Sequence, residues 1–160
     1  MKYSLAPVER EDARVLILGS LPGDRSLAMQ QYYGHPQNQF WRLVFALLGK
    51  DVPDNYAARC GSLVQHKIAL WDVVHYAERR GSLDSDIKDA APNDLHVFFE
   101  THRQLRLILL NGGKAAQLFN KHFGSVPVKT VKLPSSSPAM ASLSFEQKLA
   151  VWKRAFEGME

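Results

Sequence analysis

Cysteine is almost absent: Cys60 is the only one in 160 residues. One thiol cannot form a disulfide framework within a chain, and it cannot ligate a zinc ion or an iron–sulfur cluster by cysteines alone. A lone thiol fits a reducing cytosol. Long apolar runs are missing too. No stretch approaches the roughly 18 to 20 residues that a spanning helix needs. The charged opening, residues 1–11, lacks the apolar core of a signal peptide. A cytoplasmic protein without a membrane anchor is therefore expected. There is no dense lysine–arginine block, no Gly-Lys-Ser/Thr phosphate loop and no Ser-His-Asp pattern. His66, His75, His96, His102 and His122 are scattered, show no metal-ligand spacing, and read as structural or surface residues. No repeat and no linker divides the chain, so residues 1–160 are expected to form a single domain with one real core.

Apolar residues make up 46% and charged residues 22%, which argues against disorder. The net charge of +4 biases the protein mildly toward a polyanionic partner such as nucleic acid. Short apolar runs rich in branched residues read as buried strands at residues 14–19, 68–74, 105–110 and 126–133. Helical periodicity appears at residues 40–48, ending at Gly49, and then at 54–65, 94–102 and 112–123. Asn111 stands where it would cap the last of these. A final helix begins near Ser144, where Ser144 and Gln147 match a capping box. Its apolar stripe is Phe145, Leu149, Trp152 and Phe156. Residues 20–39 read as a long polar loop, and 78–92 as a charged excursion over the surface. Strands alternating with helices predict a mainly parallel four-stranded sheet covered on both faces, a three-layer α/β/α sandwich. Ligands bind such sheets beyond the carboxyl ends of the strands. The loop after the first strand, Asn111 after the third and the serine-rich loop after the fourth all lie at that end.

Four segments there have chemistry-bearing residues. GSLPG (19–23) is either a plain strand-to-loop turn or a loop whose amides approach a ligand closely. YYGHPQNQFW (32–41) crowds rings and polar groups before a helix. Tyr32 and Tyr33 can stack on a nucleobase, and His35 can donate to an anion or a leaving group. Asn38 can orient a water through its amide oxygen or cap the helix that follows. Phe40 and Trp41 read as core. NGGKAAQLF (111–119) offers an anion site at a helix start or a packing glycine. LPSSSPAM (133–140) is a plain surface loop or a phosphate grip, with Met140 as an apolar wedge between bases. Among acids, Asp72 ends the second strand and Asp24 lies in the first loop, whereas Asp84 and Asp86 read as a solvated turn.

In order and content these segments resemble the uracil-DNA glycosylase superfamily, from about residue 14 to the C-terminus. The mismatch-specific uracil/thymine branch has a Gly-Ile-Asn-Pro-Gly loop and a His-Pro-x-Asn-x-Phe-Trp segment. The second is kept at His35 to Trp41. In the first, the catalytic Asn position is Leu21 here. The hypoxanthine-DNA glycosylase branch shares that departure, together with a Tyr-Tyr-x-His-Pro-x-Asn-x-Phe-Trp segment and a Pro-Ser-x-Ser-Pro-Ala loop. The branches that carry an iron–sulfur cluster do not fit Cys60 alone.

The resemblance implies hydrolysis of the N-glycosidic bond of a deaminated base, hypoxanthine first, by base flipping and without metal or cofactor. Asn38 would orient the water and His35 would donate to the base. Tyr33 would stack on the base, and the backbone of Ser20 and Leu21, with Asn111, would read its edge. Ser135, Ser136, Ser137, Pro138 and Met140 would contact damaged double-stranded DNA. A monomer is expected. Competing expectations are a uracil/thymine mismatch enzyme, a non-catalytic nucleic-acid-binding module, and an α/β enzyme acting on a small phosphorylated substrate.

Overall fold

The computed structural model describes residues 1–157. Strand β1 (Lys2–Tyr3) precedes the first apolar run, which forms β2 (Val15–Gly19) and is buried along its whole length. Three helices follow: α1 (Asp24–Met29), α2 (Phe40–Leu48) and α3 (Tyr56–Gln65). Next come β3 (Ile68–Asp72), β4 (Val74–Glu78), a 3-10 turn (Asp84–Asp86) and β5 (Lys88–Pro92). The chain ends with α4 (Leu95–Thr101), β6 (Leu107–Asn111), α5 (Gly113–Phe123), β7 (Lys129–Leu133) and α6 (Phe145–Glu157).

The main sheet has the order β3-β2-β6-β7, with every pairing parallel. Successive side chains of a strand point to opposite faces, so one strand feeds two cores. Leu16 and Leu18 of β2, with Ile108 and Leu110 of β6, pack toward Phe98 of α4 and Leu118 and Phe119 of α5. Val15 and Ile17, with Leu107 and Leu109, pack toward Phe40, Val44 and Phe45 of α2, Leu63 of α3 and Trp152 of α6. The result is the expected three-layer α/β/α sandwich around a four-stranded parallel sheet. The outer edge of β3 is covered by Val8, which exchanges two backbone hydrogen bonds with Leu70.

Four expectations need correction. The run 68–74 is not one strand. The parallel strand stops at Asp72, and β4 turns away into a second, antiparallel sheet of order β1-β4-β5. Asn93 pins this bend by donating through Nδ2 to the carbonyls of Asp72 (2.8 Å) and Val74 (3.1 Å). Residues 78–92 are thus partly sheet. The 20–39 loop also contains a helix, α1. Finally, Asn111 is the last residue of β6 and caps nothing. Gly112 takes the N-cap position of α5, with φ 102°.

Candidate active site

Gly19, Asp72 and Asn111 are the last residues of β2, β3 and β6, and all three line one cavity of about 530 Å³. It opens at the carboxyl ends of the parallel strands, where such sheets place ligands, and its volume suits a small-molecule site. Leu21, Tyr33, His35, Asn38 and Ser135 to Met140 complete much of the wall. The structure therefore gathers every residue assigned a site role by the resemblance, although their environments differ, whereas the acid Asp24 lies outside the wall and pairs with Lys2.

Asn38 sits half-buried just before α2. Its Oδ1 accepts from the Phe40 N–H at 2.9 Å, so it restrains the helix start although Gln39 holds the cap position. An amide oxygen has two acceptor sites, and this bond fills one. His35 is exposed, and its Nδ1 accepts from the Gln37 N–H at 3.1 Å. That bond assigns the proton to Nε2 and leaves an N–H donor.

Tyr33 adopts φ 54°, an uncommon conformation for a residue with a side chain. Two interactions hold it there. Its ring stacks on Phe40 with centroids 4.0 Å apart, and its hydroxyl accepts from Asn111 Nδ2 at 3.0 Å. Burial pushes its phenol pKa up, with Asp72 adding to the shift, so the ring stays neutral. Tyr32, the other stacking candidate, is 3% exposed and belongs to the core. Its hydroxyl donates to the Ala6 carbonyl at 2.8 Å, and the Trp41 indole N–H donates to its carbonyl at 3.0 Å.

Asn111 is a brace. Besides holding Tyr33, its Nδ2 donates to Ser136 Oγ (3.0 Å), and its Oδ1 accepts from Ser136 N (2.9 Å). Both amide hydrogens are therefore engaged within the protein. Ser136 is 1% exposed, and its carbonyl accepts from the Gln39 N–H, so it faces inward. Ser135 and Ser137 accept from the backbone N–H two residues on, which shapes the turn, and Pro138 is exposed. A Cβ added at Gly112 would lie 2.9 Å from Ser135 Cβ. The Gly-Gly pair thus serves close approach of the serine loop. Lys148 of α6, 1% exposed, donates to Gln39 Oε1 (2.9 Å) and the Ser137 carbonyl (3.4 Å).

The first loop is braced from the second sheet. Ser20 Oγ donates to Asp84 Oδ1 at 2.6 Å, and the Ser20 carbonyl accepts from Val74 N. Arg79 donates to the carbonyls of Leu21, Pro22 and Gly81. Asp84, expected in a solvated turn, instead lines the cavity. Its role was hidden because its partner lies 64 residues away. Asp72 is 3% exposed, and its Oδ2 is buried without a hydrogen-bond partner. Burial, reinforced by Asp84 and opposed by Arg79, pushes its pKa up to about 7. A Cβ at Gly19 would come within 2.5 Å of Asp72 Oδ1 and 2.8 Å of the Tyr33 hydroxyl. Only glycine lets these two groups approach there. Among the described residues no group of three or more His, Cys, Asp or Glu side chains gathers to hold a metal ion. No described helix is long and apolar enough to cross a membrane.

Known proteins carry the same pattern. The sequence profile of the uracil DNA glycosylase superfamily matches residues 6–156. A protein of Methanosarcina barkeri named hypoxanthine DNA glycosylase is 38% identical over 157 residues, 98% of each chain. Its namesake in Methanosarcina acetivorans is 39% identical over the same length and coverage. A solution NMR structure from Methanosarcina acetivorans, described as a presumed uracil DNA glycosylase, superposes with a TM-score of 0.83. It is 38% identical and covers 97% of this chain and 98% of its own.

Proposed function

The chain belongs to the uracil DNA glycosylase superfamily and is a DNA glycosylase, and we propose that it excises hypoxanthine from deoxyinosine in damaged double-stranded DNA. The observation that carries this reading is the pairing of Leu21 with Asn38 in one cavity wall. Leu21 has no side-chain polar group to hold a water, and Asn38 has an amide oxygen with one acceptor site open. The full-length likeness to two proteins named for hypoxanthine supports the choice of base.

The reaction requires the nucleotide to leave the stack and enter the cavity. Ser135 and Ser137 contact the flanking phosphates, and Pro138 and Met140 fill the space left in the duplex. Ser136 acts from behind, through Asn111. The base stacks on Tyr33, and the Ser20–Leu21 backbone borders its edge. A water held by Asn38 forms a bond to the sugar C1′ as the bond from C1′ to the base nitrogen breaks. The bonding electrons leave with the base, and the water's proton is lost to solvent. Positive charge on the sugar faces the DNA phosphates. Charge on the departing base meets donors, His35 Nε2–H among them. The chain works as one domain and as a monomer in the cytoplasm.

Duplexes containing deoxyinosine, uracil or a G:T mismatch test this in buffer containing a chelator. Hypoxanthine release is expected to be fastest. Failure to release any base overturns the enzyme reading. Salt-dependent DNA binding without product would support a binding module instead. The likeness to a structure described as a uracil glycosylase favours one second reading, a uracil enzyme, which faster uracil release would establish.

A further inference from the structure

The turn between β4 and β5 takes no part in the steps above, although Ser82, Leu83 and Asp84 line the cavity. A lone exposed leucine is ordinary on a protein surface. Leu83 differs in where it is held. It is 56% exposed and still belongs to the cavity wall, whereas Leu21 in the same wall is 5% exposed. A side chain that meets both the cavity and bulk water stands at the mouth.

That position is braced from several elements. Gly81 turns the chain with φ 76°, and its carbonyl accepts from Lys2 Nζ of β1 and from Arg79 Nε just after β4. Ser82 Oγ accepts from the Asp24 N–H at the start of α1, 2.9 Å away. Asp84 Oδ1 accepts from Ser20 Oγ after β2, and the Leu83 carbonyl accepts from the Asp86 N–H. The residues on both sides of Leu83 are thereby tied down, so its exposure is built into the turn. Apolar surface left in water gains nothing from folding, and its gain comes when something covers it.

We propose that Leu83 is a substrate-binding residue that packs on the deoxyribose of the extruded nucleotide at the cavity mouth. This rests on the glycosylase reading. The order of parts in a flipped nucleotide identifies the occupant. The base lies deepest, and the phosphates stay outside in water. The sugar joins them and therefore lies at the mouth. Much of its surface is carbon-bound hydrogen, which suits an apolar neighbour. The sheet order β3-β2-β6-β7 separates this contact from the serine loop. The turn hangs from β4, which continues from β3, and the serine loop follows β7 at the other edge. Leu83 and Met140 thus act from different sides of the mouth, and their contributions are independent.

The test measures two quantities. One is the affinity for a duplex carrying 2′-fluoro-deoxyinosine, whose glycosidic bond resists cleavage, beside that for an undamaged duplex. The other is single-turnover hypoxanthine release from deoxyinosine at limiting protein. Leu83 is exposed, so its variants are expected to melt with the wild type. Leu83→Ser is expected to weaken binding of the fluoro duplex about tenfold and to slow release by a similar factor. The loss should be the same at low and high salt, because no phosphate contact is removed. Affinity for the undamaged duplex should not change, since nothing there is extruded. Leu83→Met should restore most of both losses. In the double variant with Met140→Ala the two losses should multiply. A Leu83→Ser protein with wild-type lesion binding and release overturns the proposal. So does an equal loss on both duplexes, or a Leu83→Met protein no better than Leu83→Ser. Losses that fail to multiply would put both side chains in one gap and overturn the assignment to the sugar. Lesion binding that depends on Leu83 without any base release would overturn the glycosylase reading and leave the contact standing. Base release indifferent to Leu83→Ser would do the reverse.

Discussion

At the scale of single residues, two side chains have capacity left over. Asn38 has one acceptor site filled by Phe40 N–H and one open. Asn38→Ala is expected to slow single-turnover base release by roughly two to three orders of magnitude, with DNA affinity little changed. A normal rate would move the water-holding role elsewhere. Asp72 has a folded pKa of about 7, against about 3.9 for an unfolded aspartate. Between those values the folded state binds the extra proton. Its contribution is therefore fully present below about pH 4 and is lost as pH rises through about 7. The loss is on the order of 4 kcal/mol at most. Asp72→Asn should raise the melting temperature at pH 8 and leave it almost unchanged at pH 4. Equal melting temperatures at pH 8 would refute the buried-acid assignment. The sequence marks Asp72 only as a strand-end acid. Its unpaired oxygen depends on packing that no local pattern encodes.

At the scale of elements, Asn111 joins three of them. Its hydrogen bonds tie the end of β6 to Tyr33 before α2 and to Ser136 after β7. Asn111→Ala removes three bonds and leaves buried groups on Tyr33 and Ser136 unpaired, at a cost of roughly 2 to 4 kcal/mol. Thermal denaturation should report that loss. Base release should fall as well, because the Tyr33 ring and the serine loop share this anchor. An active variant of normal stability would deny the brace. The sequence places Asn111 correctly at a strand end and misassigns its bonds. An asparagine before Gly-Gly is a sound cap by local rules, but Gly112 extends at φ 102° toward the serine loop and takes the cap position. The break after Asp72 was illegible for a similar reason. IALWDVV is apolar on both sides of Asp72, and the divergence of β4 is fixed by Asn93, about 20 residues away.

At the scale of the whole molecule, Lys148 of the last helix ties the serine loop to the segment before α2. Its ammonium is buried, its pKa is lowered by that burial, and both of its hydrogen-bond acceptors are neutral. A buried charge with such weak compensation adds little stability. Lys148→Met is therefore expected to keep or raise the melting temperature while lowering base release, since Gln39 and the Ser137 carbonyl lose their common tie. A variant with wild-type activity would show that the tie is dispensable.

The sequence by itself determined the sandwich, its parallel sheet and the end of the sheet that holds the site. Strand burial, helical periodicity and the alternation of elements are local consequences of where apolar side chains fall. Only the tertiary structure decided what each polar side chain there does. Asn111 meets Ser136 across 25 residues, Ser20 meets Asp84 across 64, and Lys148 meets Gln39 across 109. Those partners are chosen by strand register and crossover, such as the pairing of Gly19 with Asp72. A hydrogen bond is fixed to within tenths of an ångström, so it forms only after the sheet has brought distant segments into place.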